Sequence, residues 1–315
     1  MKIFLITEVC YHAAYLINML GKTSDQLAQK NHILQIIVRD KNNLNREKLT
    51  EIHNQLKAKK ELTTDEISAL GNAYGGELSQ AELALIKMYG VPRSHALSIS
   101  PIYSTNDLNS VKTLDWLDAQ SRQEQLSAII FLDCILKPRW LEIFENRIVN
   151  AHSAILPRAR GMYAIEQMAA LSDPEKFTNA AGASIHYIDE KVDVGLLIKV
   201  KPLVNIWDFT DIWQIKAASY MAAFELMTAY LNQENPFKLN DGAAYSEEMG
   251  PVFKAKEFND AVKSKAINSF NYMKLNKKLS LVGTKVNMFF SSAKLSEDSV
   301  INKTSPNPMI GQLTM

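Results

Sequence analysis

Cysteine, net charge and long apolar runs are all scarce in this chain, and each scarcity excludes a class of protein. The 315 residues contain 2 cysteines, Cys10 and Cys134, in no C-x-x-C pair. That excludes a disulfide-stapled scaffold and reads as two reduced thiols rather than one bridge. The 6 histidines and 2 cysteines show no metal-ligand spacing, so no metal is expected. Lys and Arg number 35 against 34 Asp and Glu, a formal net charge of +1. Such a balance argues against a large electrostatic grip on nucleic acid, although a local basic patch would not show in it. No stretch is long enough to cross a bilayer. The N-terminal run Ile3-Phe4-Leu5-Ile6 is too short for a signal peptide and meets an acid at Glu8. A cytoplasmic protein is expected. No internal repeat is present.

What is there is ordinary globular material, 47% hydrophobic and 22% charged. Ile3 to Ile6 reads as a buried strand, Ala13 to Leu20 as a helix ending at Gly21, and Ile33 to Val38 as a second strand. Alternation of this kind predicts a parallel sheet with helices on both faces. Residues 41–96 break the rhythm with three helical patterns, over Asn45–Lys60, Thr64–Leu70 and Ser79–Tyr89. They form either an inserted subdomain or lid, or a helical layer packed on the sheet.

A third strand is expected at Ala96–Ile99, a helix around Leu114 to Leu117, and an apolar strand at Ala128–Leu132. Ser184–Ile188 and Leu196–Val200 read as paired strands. Asp208–Leu231 is a long helix whose stripe of Trp213, Ala217, Tyr220, Phe224 and Met227 marks a core face. The pattern weakens after Pro236. One or two helices over Ala255–Lys274 and a strand over Leu281–Phe290 precede a polar, mobile end from Ser291. The domain reading is therefore a body over 1–235, with the insertion inside it, and a small extension over 236–315.

The most informative segment follows the buried run Arg147-Ile148-Val149. Asn150 and His152 stand two apart on one strand, so their side chains share a face. Asp193, in the turn before Gly195, is the carboxylate that completes an Asn, His, Asp set at a strand end. Such a set suits acyl transfer: a neutral donor, an imidazole and a carboxylate to charge or orient it. Taken singly, a histidine after a strand is usually structural, and an Asp before a glycine is usually a turn residue.

Taken together, Asn150, His152, Ser153, Leu156, Pro157, Gly161, His186, Asp193 and Gly195 occur in the order of the folate-dependent formyltransferases, and the chain resembles that family over roughly residues 1–235. The resemblance implies an α/β fold with a mostly parallel, twisted sheet, a Rossmann-like variant, and an enzyme using 10-formyltetrahydrofolate as formyl donor. It implies that Asn150 donates to an oxyanion. His152, when protonated, would stabilise the same charge or pass a proton to the leaving nitrogen, and Asp193 would pair with His152 and raise its pKa. It places Leu132, Asp133, Cys134, Ile135 and Leu136, with Asp189 and Val192, along the folate pocket; a buried strand end fits Leu132 to Leu136 without that role. His186 is expected to be a packed structural imidazole.

The acceptor is narrowed by what the first turn lacks. Thr7 to His12 contains no glycine, and Glu8 would repel a phosphate, which disfavours glycinamide ribonucleotide. The short, near-neutral C-terminal part disfavours initiator tRNA. The first strand begins at Lys2, with no regulatory domain ahead of it as in bacterial formyl-tetrahydrofolate hydrolases. An amine on a small molecule remains: an amino-acid-derived or natural-product amine of the hydroxyornithine type, or alternatively a nucleotide-linked amino sugar. Glu8, Tyr11, Arg158 and Arg160 are the candidate acceptor contacts. A non-catalytic folate-binding relative is the reading from a different class. A homodimer is compatible with the sequence.

Overall fold

The computed structural model describes residues 2–29, 33–95, 102–238, 241–277 and 279. Strand β1 (Lys2–Glu8) is buried on both faces, as a central parallel strand must be. Its alternation sorts the core: Ile3 and Leu5 pack into one cluster and Phe4 and Ile6 into another, on opposite faces of the sheet. Parallel to β1 lie β2 (Ile33–Arg39) and β4 (Leu126–Phe131), with β3 (Tyr103–Thr105) at one edge. On the other side come β5 (Ile148–His152), parallel to β4, and then β7 (Gly182–Tyr187) and β8 (Leu197–Pro202) as antiparallel additions. The order is β3-β2-β1-β4-β5-β7-β8. The expected mostly parallel α/β sheet is what forms.

Helix α1 (Ala13–Gln29) runs through Gly21, where it was expected to stop. Leu27 is buried one to two turns later and anchors the extra length, which outweighs the roughly 1 kcal/mol that glycine costs inside a helix. The inserted helices α2 (Arg46–Leu56), α3 (Thr64–Ala73) and α4 (Gln80–Tyr89) form where the periodicity predicts them. Asn45, Thr63 and Ser79 cap their N-termini, the last two in capping boxes with Glu66 and Glu82. Leu49, Leu56, Leu70 and Leu85 join the same core cluster as α1 and the long helix α9 (Ile212–Leu231). The insertion is therefore a packed layer on one face of the sheet. It also supplies one wall of a cleft described below.

The expected strand at 96–99 lies outside the described residues, and β3 stands a few positions later. A compact unit extends to Phe270, so residues 236–270 belong to the main body and not to a separate extension. Several contacts hold them there. A short strand β9 (Val252–Phe253) pairs with β6 (Arg160–Gly161), and Phe270 packs on Phe177 and Trp207. The strand expected over 281–290 and the mobile end expected from 291 lie outside the described residues.

Candidate active site

Asn150 and His152 sit at the carboxyl end of β5, on one face, and β7 pairs antiparallel beside them. The register sets Asn150 directly opposite His186 and His152 opposite Ser184. Cross-strand partners are close enough for their side chains to meet. Asn150 Nδ2 accordingly lies 3.1 Å from His186 Nε2. His186 Nδ1 donates to the Tyr187 carbonyl at 2.7 Å, so in the neutral ring Nε2 accepts from the Asn150 amide. His186 is thus packed, as expected, and is also a member of the polar cluster. The missing information was the strand register. Ser184, fully buried, accepts from Leu156 N–H and donates to the Ala154 carbonyl, which fixes the loop leaving β5.

Asp193 arrives from the turn after β7 and faces both histidines. Its Oδ2 lies 3.6 Å from His152 Nδ1, and its Oδ1 lies 3.4 Å from His186 Nε2. The Gly161 N–H donates to Oδ2 at 2.7 Å. Burial works against charge on this carboxyl, but His152, His186 and the Gly161 N–H outweigh it and hold it well below the usual carboxylate range. Asp193 has φ 52°, a left-handed conformation that costs a non-glycine residue energy and that Asp tolerates better than most. Gly161 has φ 84°, and a Cβ there would stand 2.1 Å from the Phe253 carbonyl oxygen. At Gly195 a Cβ would stand 1.9 Å from the Tyr187 oxygen. Both glycines of the sequence pattern are therefore demanded by close backbone approach.

His152 donates from Nε2 to the Ala159 carbonyl at 2.9 Å, leaving Nδ1 toward Asp193. Burial pushes its pKa down, and Asp193 pulling it up does not win; His186 and Lys216 add to the lowering. The expected net rise is therefore corrected: the pull of Asp193 is real, and desolvation exceeds it. Beside this set lies a feature the sequence did not disclose. Lys216 of α9 and Glu166 of α7 (Ala164–Ala170) form a buried ion pair at 3.3 Å, and Lys216 Nζ reaches Ser153 Oγ at 3.1 Å. Charges this deep occur almost only in pairs.

The loop after β4 is braced by Asn109, whose side chain donates to the Ile135 carbonyl and accepts from Lys137 N–H, both at 2.9 Å. Leu132, Cys134 and Leu136 pack toward the core with Ile188, while Ile135 is 71% exposed. Val192 is a second exposed apolar side chain, on the loop that carries Asp189 and Asp193. Ile135 and Val192 thus present exposed apolar groups on these two loops. Asp133 points elsewhere. It joins Glu8, Arg39 and Lys41 in an ionic cluster at the carboxyl ends of β1, β2 and β4, with Lys41 at 2.9 Å and Arg39 bridging Asp133 and Glu8. These four line a cleft of about 270 Å³ with Cys10, Tyr74, Glu82 and the turn Gly75-Gly76. Glu8, Asp133 and Cys134 approach within 4.8 Å, a spacing a cation would accept, but Arg39 and Lys41 already neutralise the two carboxylates.

The four expected acceptor contacts divide: Glu8 and Tyr11 line the cleft, whereas Arg158 and Arg160 are tied to the 247–250 segment. The Tyr11 ring is buried, edge-on to Tyr15 and Tyr74, because its i,i+4 spacing to Tyr15 places both on the buried face. Arg158 pairs with Glu247 through two bonds at 3.0 Å. Arg160 donates twice to the Gly250 carbonyl. Both arginines tie the 247–250 segment to the loop after β5.

Residues 110–214 match the Formyl transferase family model. Phosphoribosylglycinamide formyltransferase of Haemophilus influenzae is 24% identical over 113 residues, 35% of this chain and 50% of that protein. The trifunctional purine biosynthetic protein adenosine-3 of Chironomus tentans is 34% identical over 74 residues, 24% of this chain and 5% of its own length. The alignments thus span half of one curated relative and a small part of the other. Among solved structures, a sugar N-formyltransferase from Shewanella sp. has the same fold, with a TM-score of 0.50 at 12% identity over 86% of this chain and 88% of that one. The stretch that matches the Formyl transferase model contains the whole Asn150, His152, His186 and Asp193 cluster, in line with the resemblance to the folate-dependent formyltransferases.

Proposed function

We propose that the protein transfers the formyl group of 10-formyltetrahydrofolate to an amine on a small, amino-acid-derived molecule. The convergence of Asn150, His152, His186 and Asp193 at one strand end carries the reading. The donor supplies an activated formyl carbon; the chain supplies orientation and charge. An amide nitrogen has two hydrogens. One on Asn150 Nδ2 goes to His186, which fixes the amide and leaves the other for the oxygen that becomes negative as the amine attacks. His152 Nε2 is committed to the Ala159 carbonyl, so Nδ1, beside Asp193, is the nitrogen left to hold or pass a proton as the oxyanion forms, and Asp193 raises its proton affinity against the burial that lowers it. Leu132 to Leu136, with Asp189 and Val192, would hold the folate.

The acceptor class rests on the cleft. Asn150 is in register with Ile130, and Ile130 with Ile6. Two strand spacings across and two residues along put the Glu8 and Asn150 α-carbons about 12 Å apart. Two carboxylates and two cations at that distance suit a molecule with an ammonium and a carboxylate at one end and a second amine reaching toward Asn150. The test mixes the protein with 10-formyltetrahydrofolate and a panel of hydroxyornithine, ornithine, lysine, nucleotide-linked amino sugars and initiator tRNA. Tetrahydrofolate release that requires one amino-acid-like amine, with that amine gaining a formyl group by mass, is expected. Release without an amine would make the protein a hydrolase, and folate binding without release a non-catalytic relative.

A further inference from the structure

The cleft contains a second constellation that formyl transfer does not use. Cys10 Sγ lies 3.2 Å from His12 Nε2, and the other ring nitrogen, Nδ1, lies 3.5 Å from Glu82 Oε1. Thiol, imidazole and carboxylate are thus in line across the ring, the layout of a nucleophile, its base and the group that orients the base. With the sulfur on one side and the carboxylate on the other, the three do not converge on a point where an ion could sit.

Each member is fixed independently. The α4 capping box holds Glu82, whose Oε2 accepts from the Ser79 N–H at 2.8 Å and hydroxyl at 2.9 Å. The imidazole is stacked on Tyr220 at 5.0 Å between ring centres, with the edge of Phe131 at 5.6 Å. Cys10 lies three residues before the first residue of α1, Ala13, whose N–H bonds the Cys10 carbonyl. A thiolate is favoured beside a protonated imidazole and at a helix N-terminus. Burial opposes a charge on His12, but Cys10 and Glu82 outweigh it and push the ring up to about 10. The other titratable groups that interact with this set are Tyr11 and Tyr15 at the start of α1, Tyr74 from the end of α3, Tyr163 just before α7, and Tyr220 from α9, each kept neutral by burial. Lys216 sits over the far part of the Tyr220 ring. Cys134 has no such partner, and burial pushes its thiol up to about 11. Cys10 is half-buried and lines the cleft, so small molecules reach it.

We propose that Cys10, His12 and Glu82 form a second reactive site, a thiolate–imidazolium pair oriented by a carboxylate, that exchanges with low-molecular-weight disulfides of amino-acid thiols. The Cys10 thiolate attacks one sulfur of the disulfide, a new S–S bond forms, and the old one breaks. The departing thiolate takes the His12 Nε2 proton, leaving a mixed disulfide on Cys10 and a neutral imidazole. Glu8, Asp133, Arg39 and Lys41 along the same cleft match the ammonium and carboxylate groups of such a molecule. An adduct there fills the cleft and obstructs whatever else enters it.

The test uses the intact protein and does not depend on the formyl-transfer reading, since its readout is thiol chemistry alone. Iodoacetamide labelling at pH 6.5 is followed by peptide mass spectrometry at both cysteines, so Cys134 serves as an internal control. Cys10 is expected to react at least tenfold faster than Cys134, with a rate that stays nearly flat from pH 8 to pH 6. His12→Gln should slow Cys10 by tenfold or more and leave Cys134 unchanged. Glutathione disulfide and cystine should each give a mixed disulfide on Cys10. Equal rates at the two cysteines, or a Cys10 rate that falls tenfold per pH unit below about 8.5 as for an ordinary thiol, would overturn the proposal without any variant. Fast alkylation with no mixed disulfide would overturn the choice of electrophile.

Discussion

Asp193→Asn isolates the charge that sustains His152. The substitution preserves shape, and Asn tolerates the left-handed backbone at φ 52° as well as Asp does. Its side-chain oxygen can still accept the Gly161 N–H, so the turn survives. What disappears is a negative charge 3.6 Å from His152 Nδ1. At an effective dielectric of ~20, that separation corresponds to about 4–5 kcal/mol. Relaxation reduces the figure, and about 3–4 kcal/mol is the same as two to three powers of ten in rate. Burial already holds the His152 pKa below its ordinary value, and removing Asp193 lowers it further. We expect kcat to fall about 10²- to 10³-fold, with the folate affinity and melting temperature nearly unchanged. Steady-state turnover, folate titration and circular dichroism check the three quantities. A kcat within threefold of the parent, in a folded protein that binds folate, would refute the charge-coupling argument.

Gly161→Ala should lose both stability and turnover, because its Cβ would stand 2.1 Å from the Phe253 oxygen at a position that also donates to Asp193; thermal melting and turnover report it. Lys216→Met leaves the Glu166 carboxylate buried without a cation, a loss of about 3–5 kcal/mol measurable by urea unfolding, and Lys216→Met/Glu166→Gln should recover much of it. His53 and His95, buried in the insertion, have pKa values below the ordinary 6.5, His95 at about 4. Groups held neutral in the fold bind fewer protons there than in the unfolded chain. Stability should therefore be complete above pH 6.5 and decline as the pH falls toward about 4, by about 3 kcal/mol from His95 alone. Chemical unfolding at pH 7 and pH 4.5 tests this, and a flat profile would remove the buried histidines from the account.

The parts of the fold that local pattern controls were legible. Buried runs at Ile3–Ile6 and Ala128–Phe131, and the capping residues Asn45, Thr63 and Ser79, carry their own instructions, and the observed elements follow them. Asn150 and His152 were legible as a pair because strand alternation alone puts them on one face. His186 was not, since its place opposite Asn150 depends on the antiparallel register of β5 and β7, which no local signal fixes. Arg158 and Arg160 misled for the complementary reason. A cation beside a glycine-containing loop looks available until a distant acid or carbonyl, here Glu247 and Gly250, is folded onto it.

Lys216 shows the same dependence within a single helix. The stripe Trp213, Ala217, Tyr220, Phe224 and Met227 identifies the core face of α9, and by that pattern Lys216, one position from Ala217, reads as a solvent-side residue. Yet α7 covers that side too and brings Glu166 to meet it, so the helix is buried around much of its girth. The consequence runs through the site. Lys216 lies over Tyr220, Tyr220 stacks on His12, and His12 faces both Cys10 and Glu82. The same Lys216 Nζ holds Ser153, and its charge lowers the pKa of His152. One buried cation on α9 thus stands between the cleft at the end of β1 and the polar cluster at the end of β5. Replacing it should therefore disturb the His152 titration even though Lys216 does not touch the ring.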